Sequence, residues 1–402
     1  MKKHLWTIAA LTVTLVTGTS CATPIDGTAK PGMTPVDLSI LKTGDLATAP
    51  SPFKLKFSDT GRTVRMIEAR RMLNYLVHPF DVDSDLTNVG YVRLIADATT
   101  MTADGALPAI YKPVAEKNRI VAGAYVSRTN GNLRSSKKLI VSILRFPTEA
   151  DSKSAADDFF RITQEQNERH AIPIDGHPDA HATSADNATA NGFQQYGPYV
   201  IAISAGVPTP SPDTLAGTIK KVIDLQIVQL DKQKPIPIDD LLDLPTDPDG
   251  IMRRAAPRSN SDPFLSFYEE DFGNFQASGI LHFERNPIEV RKAFEEGGVD
   301  LVGRRSSTVY RARDLEGAFR LQTALTRLGK NDATLDPPPG LSDAQCVRLD
   351  NRDLNRSFTS YCAIVYDRYV AVVVSTISEA ATVDRQLQER ASAQYSILKK
   401  SE

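Results

Sequence analysis

Apolar and polar positions along the chain predict the same order of elements twice. In the first half, residues 138–146, with Leu139, Ile140, Val141, Ile143, Leu144 and Phe146, form an apolar run of strand length. Pro147-Thr148-Glu149 then opens a helix that carries Ala155, Ala156, Phe159, Phe160 and Ile162. After a polar loop, residues 199–204 make a second apolar strand, and Pro212-Asp213 starts a helix with Leu215, Ile219, Val222, Ile223, Ile227 and Leu230 on one stripe. The second half repeats this order. Residues 307–312 read as a strand, and Asp314 is placed to cap a helix with Leu315, Phe319, Leu325 and Leu328 on one stripe. Residues 369–375 read as the next strand, and a last helix places Val383, Leu387, Ala391, Tyr395 and Leu398 on one face. The pairs Tyr199-Val200 and Tyr369-Val370 lie 170 residues apart, and the strand-to-helix junctions about 166. A near-constant offset indicates internal duplication. The predicted fold class is α+β: two related units, each an antiparallel sheet with helices packed on one face.

The ends of these units have a different character. Lys2, Lys3 and His4 precede a mostly apolar run at residues 5–16. Twelve helical residues reach about 18 Å, short of the roughly 30 Å hydrocarbon core, so the run has the size of a signal-peptide core. The expectation is a signal peptide over 1–20 and export. Gly18-Thr19-Ser20-Cys21 resembles a bacterial lipobox, in which the cysteine receives diacylglycerol; Gly18 departs from the aliphatic residue usual there. Ordinary cleavage after Ala22 is the alternative, and it would discard Cys21. Acylation with two or three chains would anchor the protein stably to the membrane. Residues 21–58, with Pro24, Pro31, Pro35, Pro50 and Pro52, read as a flexible tether. A first α+β unit is expected over 59–231, a Pro/Asp-rich linker over 232–262 and a second unit over 263–402. Asp243, Asp247 and Asp249 in the linker lack the spacing of a calcium loop.

Composition narrows the partners. The 402 residues carry 47 Lys+Arg against 49 Asp+Glu, which leaves no basic footprint for a nucleic-acid binder. Of the three cysteines, Cys346 and Cys362 flank a polar turn in a predicted hairpin, and an oxidising compartment favours their pairing as a disulfide. His177 and His181 are weak metal candidates at i and i+4, but Pro173, Gly176 and Pro178 argue against the helix that would place them on one face. No metal, cofactor or catalytic residue is expected. S-x-x-K patterns at Ser39-Lys42 and Ser135-Lys138 are too short to carry weight, and no nucleophile elbow, zinc-protease or phosphate-loop motif occurs.

The chain resembles an uncharacterised family of actinobacterial (mycobacterial and nocardial) exported lipoproteins. The resemblance is carried by Val36-Asp37-Leu38, Thr43-Gly44-Asp45-Leu46, the run from Ile67 through Glu68, Arg70 and Arg71 to Leu73, and Asp81-Val82-Asp83. At the far end it continues through Cys346, Cys362, Tyr366, Tyr369-Val370 and Gln394-Tyr395-Ser396. It implies an exported, lipid-anchored, two-unit α+β protein and no established activity. The expected function is binding of an envelope lipid, glycan or protein partner on the extracytoplasmic side of the cell membrane. An envelope hydrolase or transferase with a site between the two units is the alternative.

Overall fold

The apolar run of the first half becomes the centre of a sheet. The computed structural model describes residues 32–54, 60–258, 272–376 and 383–402; the expected signal peptide and Cys21 lie outside the described residues. The first half contains strands β1 (Asn88–Ile95), β2 (Ala122–Thr129), β3 (Lys138–Arg145), β4 (His170–Ala171), β5 (His181–Ser184), β6 (Thr189–Tyr196) and β7 (Tyr199–Gly206). Its helices are α1 (Thr60–Leu73), α2 (Pro79–Val82), α3 (Ala98–Thr102), α4 (Lys112–Lys117), α5 (Glu149–Gln164) and α6 (Pro212–Asp231). The second half contains α7 (Ile251–Arg254), β8 (Gly273–Phe275), α8 (Ala277–Leu281), α9 (Pro287–Gly297), β9 (Leu301–Arg304) and β10 (Thr308–Arg311). It continues with α10 (Leu315–Leu325), β11 (Ala333–Leu335), β12 (Gln345–Arg348), β13 (Ser360–Tyr366), β14 (Tyr369–Ser375) and α11 (Arg385–Lys399).

Each half builds one seven-stranded antiparallel sheet, with orders β1-β2-β3-β7-β6-β5-β4 and β11-β12-β13-β14-β10-β9-β8. Advancing every strand of the first order by seven reproduces the second read backwards, so the duplication extends to the whole topology. Register repeats as well: Arg145 pairs with Tyr199, and Arg311 with Tyr369. Both tight turns start on left-handed backbone, Gly197 at φ 52° and Asp367 at φ 49°. The chain leaving β3 or β10 is tied to the matching turn, with Phe146 N–H donating to Pro198 O at 2.8 Å and Ala312 N–H to Arg368 O at 2.9 Å. Thr148 and Asp314 then cap α5 and α10 through their side chains.

The duplicated antiparallel α+β architecture is as expected, and five details of it are corrected by the packing. Helices cover both faces of each sheet instead of one. In the first half α1 and α6 pack on one face while α3, α4 and α5 pack on the other; in the second, α9 and α10 oppose α11. The physical reason was in the strands: β2, β7 and β13 are buried at nearly every position, and a strand covered on both sides must be apolar on both. The polar loop after α5 holds β4, β5 and β6, which pair at the edge with weak apolar alternation. Leu328 and Val383 lie beyond the ends of their helices and are exposed. The described part of the tether does not stand free. Leu41 is buried beside Leu341, Thr34 donates its hydroxyl to Asp343 at 2.6 Å, and Lys399 reaches Val36 O at 3.1 Å. Within the Pro/Asp-rich stretch, Leu241, Ile251 and Met252 are fully buried, and α7 packs on the second sheet.

The two halves share one core. The largest apolar cluster runs from α1 and α6 through Ile280, Leu281 and α9 to α10. At its margin Asn355 crosses to β1: its side chain accepts from Val92 N–H at 2.8 Å and donates to Gly90 O at 3.2 Å, where a bulge leaves those groups free. Arg291 adds an ion pair with Asp81 at 2.7 Å.

Candidate functional site

A cleft in the second half gathers three strongly perturbed ionisable groups, Glu284, Tyr310 and Tyr361. Its apolar walls come from Phe283, Val290, Leu325, Phe358, Val372 and Val374. Its polar groups are Glu284 and Arg285 from the segment joining α8 to α9, Arg304 at the end of β9, Tyr310 on β10, and Asp353 and Arg356 from the loop before β13. The free volume inside it is about 70 Å³. Few convergent polar groups on apolar walls are the usual form of a small-molecule site.

Burial dominates the electrostatics. Glu284 accepts a hydrogen bond from the Tyr310 hydroxyl at 2.6 Å, yet removal from water pushes its carboxyl up to about 7. The same burial, with the Glu284 charge nearby, raises the Tyr310 hydroxyl well above its ordinary range. Behind the cleft, Arg128 of β2 is fully buried and spends its guanidinium on carbonyls: Thr87 O at 2.6 Å, Leu281 O at 3.4 Å, His282 O at 2.9 Å and Glu284 O at 3.0 Å. Burial lowers Arg128 to about 10, and the nearby Glu284 opposes that fall. Arg285 is held by Asp332 at 2.6 Å. Arg356 donates to Thr308 Oγ1 at 3.0 Å and to Arg305 O and Ser306 O. Arg304 differs from both. It is 2 % exposed, its guanidinium lies 4.3 Å from the centre of the Phe283 ring, and it has no hydrogen-bond or ion-pair partner among the described residues.

A buried histidine pair adjoins this cluster. His78 and His282 have ring centres 4.1 Å apart, and His282 Nε2–H donates to Leu73 O at 3.1 Å. Burial first, then the charges of Arg128 and Arg291, lower both rings, His282 to about 3. Both are therefore neutral when folded, whereas the unfolded chain takes up their protons below about 6.5. Below about pH 6.5 the unfolded state thus takes up protons on both rings that the folded state refuses. Glu284 acts in the opposite sense, holding one proton when folded that the unfolded chain has lost. The expected net is a loss of about 1 kcal/mol per pH unit as pH falls from 6.5 to 5. Urea midpoints across this window check it, and a midpoint that stays constant or rises on acidification would contradict it.

The residues singled out in the sequence lie elsewhere. His177 Nε2 contacts Asp224 of α6 at 2.6 Å, while His181 contacts Asp157 of α5 at 3.0 Å and stacks on Phe160. They serve different helices, and no cluster of three or more metal-ligating side chains occurs among the described residues. Cys346 and Cys362 face each other across β12 and β13 and form a disulfide. The sequence reading missed Arg128, Glu284, Arg304 and Tyr310. The one local signal was His282-Phe283-Glu284-Arg285, a polar run beside the apolar Ile280-Leu281.

Residues 56–246 match a domain described as "Domain of unknown function (DUF7373) N-terminal" and residues 251–401 its C-terminal counterpart. No curated protein matches the chain by sequence. The crystal structure of the extracellular domain of PknH from Mycobacterium tuberculosis aligns with 40 % of this chain and 94 % of that one, at 10 % identity and a TM-score of 0.28, a likeness that carries no argument. No helix among the described residues is long and apolar enough to cross a membrane.

Proposed function

The chain belongs to the DUF7373 family, and from the cleft in its C-terminal domain we propose that it is an exported, lipid-anchored envelope protein that binds a ligand outside the membrane. The observation that carries binding is the cleft itself, where apolar walls surround a few buried polar groups. Export and anchoring are supported by the basic start, the short apolar run and Cys21, together with the resemblance to actinobacterial lipoproteins. The test of binding is a thermal-shift and native-mass screen of the full mature chain against envelope lipids, glycans and their fragments. At least one class is expected to raise the unfolding temperature, and the shift should vanish when Val290→Trp fills the cleft. If no component shifts the protein, the binding reading fails. For the anchor, intact mass of membrane-extracted protein should show a diacylglyceryl adduct on Cys21; an unmodified N-terminus at Thr23 would overturn it.

Glu284 favours a second reading. A carboxyl poised at about 7 suits a general acid of an envelope hydrolase or transferase. Turnover of an ester or phosphoester that is abolished by Glu284→Gln would establish that reading over simple binding.

A further inference from the structure

Arg304 is a buried cation that pairs with no counter-charge among the described residues. A guanidinium taken out of water without an acceptor is strongly disfavoured, and a folded protein usually pairs it or leaves it at the surface. Arg304 is neither. It sits at the end of β9, 2 % exposed, and its close contact is the face of Phe283. The arginines beside it are already engaged, Arg285 by Asp332 and Arg356 by a threonine hydroxyl and two carbonyls. Glu284 is near enough for Arg304 to influence its titration, but no ion pair joins them. Its Oε1 is taken by the Tyr310 hydroxyl, which leaves Oε2 to carry the acid proton.

We infer that the cleft receives a singly charged oxyanion, the carboxylate or phosphodiester group of a larger ligand, with Arg304 taking the charge and the protonated form of Glu284 offering an O–H to the same group. This rests on the proposed binding function and specifies its ligand. The formal charges of the lining groups agree. Arg285 and Asp332 cancel, Asp353 offsets Arg356, and a neutral Glu284 leaves one positive charge on Arg304. A guanidinium fork matches the two oxygens of a carboxylate or phosphate, a geometry that an ammonium lacks. The volume sets the size. About 70 Å³ is near half of the ~150 Å³ cavity that accepts benzene, so it seats the anionic group and two or three carbons. The rest of the ligand projects out of the cleft.

The experiment is titration of the full mature chain with butyrate and with dimethyl phosphate at constant ionic strength, beside neutral butyramide as control, followed by calorimetry or amide chemical shifts. One or both anions are expected to bind and butyramide to bind at least about tenfold more weakly. The two anion arms distinguish a carboxylate ligand from a phosphate one. Arg304→Met should lose the preference for the anion, Arg304→Lys should recover part of it, and Glu284→Gln should retain it. Stability supplies a second readout. Removing an unpaired buried charge should leave the urea midpoint of the unliganded Arg304→Met variant equal to or above that of wild type, whereas a structural arginine would lower it. Equal binding of butyramide and butyrate, or an Arg304→Met variant that is destabilised and binds the anion as wild type does, overturns the inference and leaves the binding function standing. Failure of these probes while an uncharged envelope component binds has the same meaning; failure of every component removes the function as well.

Discussion

Arg128→Met is expected to destabilise the full chain by about 3–5 kcal/mol, read as a lower urea midpoint. Methionine refills much of the volume but cannot donate, so the carbonyls of Thr87, Leu281, His282 and Glu284 are left without the guanidinium. Each orphaned buried acceptor costs about 1–3 kcal/mol, part of which is returned because the arginine's own burial penalty disappears. Three of these carbonyls lie in the 281–284 segment of the second half, while Arg128 belongs to β2 of the first. The substitution should therefore also weaken cooperation between the halves, seen as a broader unfolding transition. Arg128→Lys keeps the charge without the fork and should fall between the two. A change below about 1 kcal/mol for Arg128→Met would show that the carbonyls find other donors.

Opening the disulfide should have an effect of similar size. Cys346 and Cys362 are separated by 16 residues, and closing a loop of about that length removes roughly 3 kcal/mol of unfolded-state entropy. Both sulfurs are buried, so alanine at both positions avoids placing hydroxyls in the core. The expected results are a urea midpoint lower by the equivalent of about 3 kcal/mol for the double alanine variant and a similar fall for wild type under reductant. The variant itself should be indifferent to reductant. Equal midpoints for oxidised and reduced wild type would contradict the prediction, as would non-reducing peptide maps with both thiols free.

Several parts of this architecture could be read locally. Tyr199-Val200 and Tyr369-Val370 marked the repeat because each heads the central strand of its sheet. Thr148 and Asp314 marked helix starts because an N-cap needs only its own next three residues. The disulfide was legible because a hairpin fixes its cross-strand partners within one turn. The helices on both faces were written in the strands, since continuous burial leaves no polar side. Val36, Leu38 and Leu41 were not legible as packed residues. Their spacing follows no helix or strand period, and what buries them is the second half, about 300 residues away in Leu341 and Asp343.

The cleft belongs to a different level. Arg128 and Glu284 are 156 residues apart, and neither carries a local pattern that announces the other. The same holds for Arg304: a sequence shows that an arginine is present, not whether an acid faces it. Alone, the sequence determined the repeated strands, their helices, the helix starts and the bridge between Cys346 and Cys362, because short-range periodicity, capping and hairpin pairing govern each. Only the tertiary structure decided which charges are paired, how far burial raises the Glu284 carboxyl and which buried guanidinium has no partner among the described residues. Desolvation and Coulomb interactions set these, and both depend on neighbours brought together from distant parts of the chain.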